Sequence, residues 1–361
     1  MSVKAAVIRE PKRIRIEQFA KPDLGPSDML LRVRSAGICG TDVEIYKGLL
    51  NEFRLPLIMG HEIVGEVAEA GSEVEELRGL KIGDRVIVEG SMSCGQCMYC
   101  RNGQKKHCKT FGNYGLRTTC DKPPFLWGGF SEKIFVPIGA NVRKLPDTVP
   151  DDTAVLVSSV IANGVQWTSL IGNCRVGDVV VVQGSGPQGI ACAAAAQASG
   201  AKLIIVTGLA RDRRRLELAK KLGAHVTLMV DQCDAIQEVK KLTDGAMADL
   251  VIDVTGSSAS PQLSLELAKI GGMYVHASQM GSELYSSLIL DTLVRKEVTI
   301  RGARSKGEEA IKRAFAMAES SMLPFHEMVT HHFALAEISE AFNQLAYADD
   351  RPIKAVIHPN R

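Results

Sequence analysis

The sequence predicts an α/β protein in two parts: an antiparallel β barrel or sandwich, then a doubly wound parallel sheet. Three observations carry this. A chain of 361 residues exceeds what one typical core accommodates. Up to about residue 150, short alternating segments ("MLLRVRSAGI", "HEIVGEVAEAG", "GDRVIVEG", "FSEKIFVPIG") stand between Gly and Pro turns, the period-two texture of antiparallel strands. From about residue 175, nearly continuous apolar strands ("DVVVVQG", "KLIIVTG", "HVTLMV", "ADLVIDVTG", "GGMYVHAS") alternate with helical stretches such as "IACAAAAQASG" and "RRRLELAKKLGA". Strands apolar on both faces and separated by helices form a parallel sheet covered on both sides. The strand "VTIRGAR" closes the run near residue 304, and the tail reads as two helices ("GEEAIKRAFAMAES", "LAEISEAFNQLAYA") and a last strand, "KAVIHP".

Composition narrows the class. Hydrophobic residues make up 45% and charged residues 23%, ordinary for a globular protein. A net charge of +2 gives no electrostatic case for nucleic acid or an anionic membrane as partner. No apolar run in the sequence approaches the length of a membrane helix, and the start "MSVKAAVIREPKRIRIEQF" lacks the apolar region of a secretion signal. The nine cysteines are odd in number and clustered, which favours metal ligation in a reducing compartment over a disulfide framework. The cytoplasm is the expected location.

"VVVVQGSGPQGIACAAAAQASG" places Gly184, Gly186 and Gly189 in G-x-G-x-x-G spacing. The motif follows a strand and opens a helix, the context it requires. The first Gly permits a tight turn, the second lets backbone approach a pyrophosphate, and the third lets helix pack on strand. Unpaired N–H groups at the helix N-terminus serve the phosphates. A dinucleotide site is expected, with Pro187 among its contacts; the alternative is a glycine turn used only for packing. An acidic residue normally ends the second strand and takes the ribose hydroxyls, but here Thr207 and Gly208 stand there, followed by Arg211, Arg213, Arg214 and Arg215. Small residues leave room for a 2′-phosphate that an arginine can pair, so the reading leans from NAD to NADP. Against it, the arginines line a solvated helix face and Asp212 takes the ribose.

Cys94, Cys97, Cys100 and Cys108 follow C-x2-C-x2-C-x7-C. Four thiolates suit a tetrahedral Zn²⁺ whose full shell leaves no place for a substrate, a structural site. The proline-flanked fourth ligand of an iron–sulfur run is missing. A second group is dispersed: Cys39, Thr41 and Glu44 in "AGICGTDVEIYKG", His61 and Glu62 in "LIMGHEIVGEV". A thiolate and an imidazole can hold a metal with an open position, which lowers the pKa of an alcohol oxygen so that hydride can leave the carbon.

The ordered set "GICGTD", "GHEIVGEV", "GDRV", the four-cysteine loop and "GSGPQG" resembles the zinc-dependent medium-chain dehydrogenase/reductase family, over nearly the whole chain. The resemblance implies a GroES-like catalytic domain (1–155 and 305–361) interrupted by a Rossmann domain (156–304). It also implies one structural and one catalytic zinc, and a homodimer or homotetramer built through the Rossmann domains. Cys39 and His61 match the catalytic zinc ligands, and Glu62 matches the acid beside that histidine, which lies near the metal. Thr41 matches the hydroxyl residue that takes the alcohol proton. Cys94, Cys97, Cys100 and Cys108 match the structural site. Two departures stand out. Glu44 occupies the position of a proton-relaying histidine, which would move the pH optimum. Ser159, aligned through Asn163-Gly164-Val165, occupies the place of a further Cys, Asp or Glu zinc ligand, and a neutral hydroxyl ligates zinc poorly. Glu62 or water completes the shell, or the metal is weakly held; a shift of one residue would put Ser158 there instead.

The expected activity is therefore reversible hydride transfer between an alcohol and NAD(P). The alternatives are a zinc-independent reductase of the same fold and a non-catalytic nucleotide-binding protein. Phe53, Leu55, Leu116, Phe125, Leu126 and Trp127 suggest an apolar pocket for a hydrophobic secondary alcohol, cyclic ones included, or else simply pack the domain.

Overall fold

The computed structural model describes residues 2–50, 52–108, 112–279 and 286–361. The chain divides into two compact units: Met1–Ser159 with Val329–Arg361, and Val160–Met328.

The first unit is built on antiparallel strands. Strand Ser2–Glu10 pairs with Arg13–Ala20 on one side and Leu57–Ile58 on the other. A larger sheet runs Val329–Ala334, Lys354–His358, Met29–Gly37, Glu62–Ala70, Arg85–Met92, Ala140–Lys144, with Lys133–Val136 also pairing Met29–Gly37. All its pairings are antiparallel except the parallel pair at its C-terminal end. Ile8, Leu31, Ile63, Val67, Val88, Phe130 and Phe342 are fully buried or nearly so and form its core. At one end of the sheet the register pairs Gly37 with both Glu62 and Val356, so residues just beyond these partners converge from three remote segments.

The second unit is a six-stranded parallel sheet in the order Val226–Met229, Leu203–Gly208, Val179–Gln183, Ala248–Asp253, Ala268–His276, Thr299–Gly302. Every residue of Val179–Gln183 is buried, as a central strand covered on both faces requires.

Two expectations are corrected here. The return to the first unit comes at Val329, not at 305. Helix Glu308–Glu319 stays with the parallel sheet because Ala310 packs with Val165 and Ala195, and the Gly307 N–H donates to Gln166 Oε1 at 2.8 Å. The helical run Asp151–Ile171 is, by length and composition, long and apolar enough to cross a membrane, although the sequence read as having no such run. It is a core helix: 72% of its most apolar window is buried inside the protein.

Candidate active site and metal centres

The four-cysteine loop follows strand Arg85–Met92. Cys97 caps the short helix Met98–Arg101, and the turn Lys105–His107 delivers Cys108. None of the four is in a disulfide, and their sulfurs all lie within 4.8 Å of one another. Sγ–Sγ separations of 3.5 Å (Cys97–Cys100) and 3.9 Å (Cys94–Cys100) bracket the ~3.8 Å edge of a tetrahedron with Zn–S bonds of about 2.3 Å. The Cys94 N–H donates to Cys108 Sγ (3.4 Å) and the Cys97 N–H to Cys94 Sγ (3.3 Å), which favours the thiolates. This donor set fits a saturated structural zinc.

The second constellation is made by strand register. Cys39 caps helix Gly40–Lys47, and its N–H donates to Asp42 Oδ2 at 2.9 Å. Glu62 begins the strand that pairs with Met29–Gly37, His61 stands immediately before it, and Met29–Gly37 ends two residues before Cys39. Donor atoms of Cys39, His61 and Glu62 lie within 4.8 Å of one another. The other Asp42 oxygen stands 3.4 Å from His61 Nδ1, and Asp42 has no exposed surface. A carboxylate behind one imidazole nitrogen leaves Nε2 to a metal and makes the ring a better ligand. Burial alone would depress the His61 pKa, but Asp42, with Cys39, outweighs it and pushes the pKa up. Thiolate, oriented imidazole and adjacent carboxylate are a donor set that fits zinc with an open position.

Glu62 is fully buried and ion-paired to Lys354, itself buried. Burial would lower the Lys354 pKa, yet Glu62 and Cys39 carry it up, so the ammonium persists. Gly37 makes room for this pair: a Cβ there would overlap Glu62 Oε2 and approach Lys354 Cε to 3.0 Å.

Thr41 and Glu44 are half-buried on helix Gly40–Lys47, and a spacing of three puts them on one face. Burial raises the Glu44 pKa, while Lys47 pulls it down. Ser159 is buried within Val157–Ile161, and the neighbouring Ser158 Oγ is buried without a hydrogen-bond partner among the described residues. Of the residues suggested for an apolar pocket, Leu126 is wholly inside a core cluster and Phe125 packs on Phe19, centroids 5.6 Å apart. Phe53, Leu55, Leu116 and Trp127 are partly buried against the main core of that unit.

In the second unit, Gly186 caps helix Pro187–Ala198, with Pro187 at its first position. Gly184 has φ +108°, which suits glycine alone, and a Cβ on Gly189 would overlap the Gly184 carbonyl. A Cβ on Gly186 would meet nothing within 4 Å, so the backbone there faces open space. Thr207 is buried, and a Cβ on Gly208 would come to 2.8 Å from Ser185 Oγ, so the acid missing from this strand end would also be crowded. Asp212 accepts the Leu209 N–H at 3.1 Å and sits 3.8 Å from Arg215, tied into its own turn, while Arg211 is exposed.

Sequence reasoning missed three groups. Asp42 carried one signal, an acid three residues after Cys39 at a helix start. Lys354 carried none, because it meets Glu62 only through the pairing of the C-terminal strand with Met29–Gly37. Asp253 ends its strand fully buried, accepting from Thr255 N–H (2.9 Å), Thr255 Oγ1 (2.8 Å) and Ser260 Oγ (2.6 Å), with His276 Nδ1 at 3.3 Å. Carboxyl ends of strands are where open α/β sheets bind ligands.

Comparison with known proteins agrees with this geometry. Residues 25–147 match the alcohol dehydrogenase GroES-like domain, and residues 187–320 the zinc-binding dehydrogenase domain. "Probable alcohol dehydrogenase adh" of Mycobacterium tuberculosis is 33% identical over 99% of this chain and 98% of its own length. The erythritol/L-threitol dehydrogenase of Mycolicibacterium smegmatis is 31% identical over 95% of this chain and 94% of its own. Among solved structures, the alcohol dehydrogenase of Thermotoga maritima superposes with a TM-score of 0.92 at 25% identity, covering 99% and 100% of the two chains. The 2R,3R-butanediol dehydrogenase of Bacillus subtilis gives 0.86 at 26% identity with the same coverage. The GroES-like first unit, the Rossmann-type parallel sheet and the two cysteine-bearing clusters place this chain in the zinc-dependent medium-chain dehydrogenase family, oxidoreductases that act on CH–OH donors.

Proposed function

We propose that this protein is a zinc-dependent alcohol dehydrogenase that moves hydride reversibly between a secondary alcohol and NAD(P), as a cytoplasmic homodimer or homotetramer. The observation that carries the reading is the convergence of Cys39, His61 and Glu62, with Asp42 buried behind His61. When bound, zinc lowers the pKa of the alcohol oxygen and the nicotinamide accepts hydride from the carbon. The residues of the chain handle the proton. Thr41, one turn of helix ahead of Glu44, takes it from the alcohol, and Glu44 passes it toward solvent. Asp42 fixes the His61 ring, and Lys354 balances the Glu62 charge. Phe53, Leu55, Leu116 and Trp127 supply apolar surface that suits a hydrophobic substrate, cyclic alcohols included.

For the cofactor, the reading keeps its lean to NADP. It rests on Gly208 in place of an acid, on Asp212 held by its own turn, and on the exposed Arg211. Assembly through the parallel-sheet unit is supported by Thr299–Gly302 at the sheet edge and by exposed Ile270, Ile289, Leu290 and Val294 near its end of the sequence.

A second reading, a zinc-independent reductase, draws on Ser159 and on the engagement of Glu62 by Lys354. Zinc analysis together with a screen of secondary alcohols against NAD and NADP separates the two. Two zinc per chain with alcohol turnover supports the dehydrogenase; one zinc with turnover confined to activated double bonds or carbonyls supports the reductase. Ser159→Cys is expected to raise zinc retention at the second site.

A further inference from the structure

A third cluster of ligating side chains lies in the first unit, away from both cysteine-bearing groups. Asp152 sits in the first turn of helix Asp151–Leu156, His332 on strand Val329–Ala334, and His358 at the end of strand Lys354–His358. The two strands are parallel, with His332 opposite Val356 and Ala334 opposite His358, so the histidines are diagonal neighbours on one face. Their rings stack with centroids 5.2 Å apart, and His332 Nδ1 lies 2.9 Å from His358 Nε2. His332 Nε2 is 3.6 Å from Asp152 Oδ2. One donor atom from each of the three residues falls within 4.8 Å of the others.

The surroundings prepare these groups as ligands. His358 Nδ1 lies 3.1 Å from the Arg34 carbonyl, a partner that can only accept, so this nitrogen carries the proton and Nε2 carries the lone pair. An imidazole anchored through one N–H to a backbone carbonyl is the usual support of a metal-ligating histidine. Asp151 takes both neighbouring arginines, Arg34 at 2.8 Å and Arg85 at 2.6 Å. That leaves Asp152 with His332 as its ion-pair partner among the described residues. The cluster opens on a cavity of about 640 Å³ with Asp152, His332 and His358 in its wall, which provides entry and space for water at remaining coordination positions.

We propose that Asp152, His332 and His358 form a third metal site, taking a divalent transition-metal ion such as Zn²⁺ or Ni²⁺ through one carboxylate oxygen and two imidazole nitrogens. Two nitrogens on a tetrahedral zinc stand about 3.3 Å apart, since each bond is about 2.0–2.1 Å. Without metal His332 Nδ1 donates to His358 Nε2 at 2.9 Å, so ligation by this pair releases that proton to solvent and opens the contact by only ~0.4 Å, and His332, on the exposed side, has room to turn. Imidazole donors select transition metals over Ca²⁺ and Mg²⁺, which prefer oxygen. The ion would tie the helix at Asp152 to the C-terminal strand pair, and would stabilise the fold by mass action.

The test uses the full chain brought by dialysis against a mild chelator to two zinc per chain, so that the third site is cleared, then freed of chelator and titrated with Ni²⁺ by calorimetry. Zinc release is followed in parallel to exclude exchange at the cysteine sites. The wild type is expected to take up one Ni²⁺ per chain with a rise in Tm. His332→Ala and Asp152→Asn are each expected to lose that equivalent and the Tm rise while keeping their zinc and their circular dichroism. His332 is exposed, so its removal leaves the core intact. Failure of the wild type to bind Ni²⁺ saturably overturns the proposal. So does undiminished uptake, without zinc release, by folded His332→Ala.

Discussion

Lys354 and Glu62 form an ion pair at relative exposures of 3% and 0%, with Cys39 and His61 as neighbours of the same cluster. Removing one partner of a buried pair leaves an uncompensated charge, which costs about 3–5 kcal/mol. Lys354→Met is therefore expected to destabilise the protein by that order, measured by urea denaturation. Adding Glu62→Gln should restore much of the loss, because the orphaned charge is then gone. If the double variant is no more stable than Lys354→Met, the pair does not account for the effect.

Asp42 acts on His61 and has no exposed surface of its own. Replacing a carboxylate behind a ligating histidine typically costs 10–100-fold in metal affinity or activity. Asp42→Asn keeps the shape and removes the charge, so it should lower zinc retention at this site while leaving the four-cysteine zinc in place. Zinc content after dialysis against a chelator reads this directly.

Glu44 gives the pH profile a predictable direction. A proton relay works from its ionised form, and burial raises the Glu44 pKa. Activity should fall as pH drops through an apparent pKa above the ordinary carboxylate range. Glu44→Gln should lower kcat and remove that limb; Glu44→His should move it toward neutral pH. A profile identical in all three proteins would take Glu44 out of the relay.

The four-cysteine loop should behave as a clasp. Cys97→Ser is expected to remove about one zinc per chain and to lower Tm, with kcat per folded, zinc-loaded active site much less affected. Differential scanning calorimetry with zinc analysis on the same sample checks both.

Local chemistry was the legible part of this site. Four cysteines within one short loop are visible as spacing, so Cys94 to Cys108 announced themselves in the sequence. Gly184 and Gly189 did the same because a tight turn and a helix–strand contact exclude a side chain, while Gly186 faces open space and stood out by spacing alone. The boundary near residue 305 was misplaced for the opposite reason. The sequence 308–319 reads as a helix, but which unit it joins depends on Ala310 meeting Val165 and Ala195, more than a hundred residues earlier. Leu126 likewise reads as apolar in a loop, and only packing assigns it to a core.

The sequence by itself determined the two-part α/β architecture, the glycine-rich turn and the four-cysteine loop, because periodicity and close spacing are local properties of a chain. Cys39 and His61, far apart in sequence, were instead picked out by the resemblance of "GICGTD" and "GHEIVGEV" to the family. The tertiary structure decided what surrounds them: Asp42 behind His61, Lys354 against Glu62, and His332 stacked on His358 beside Asp152. Those contacts arise from strand register, and register is set by how whole sheets bury their apolar faces.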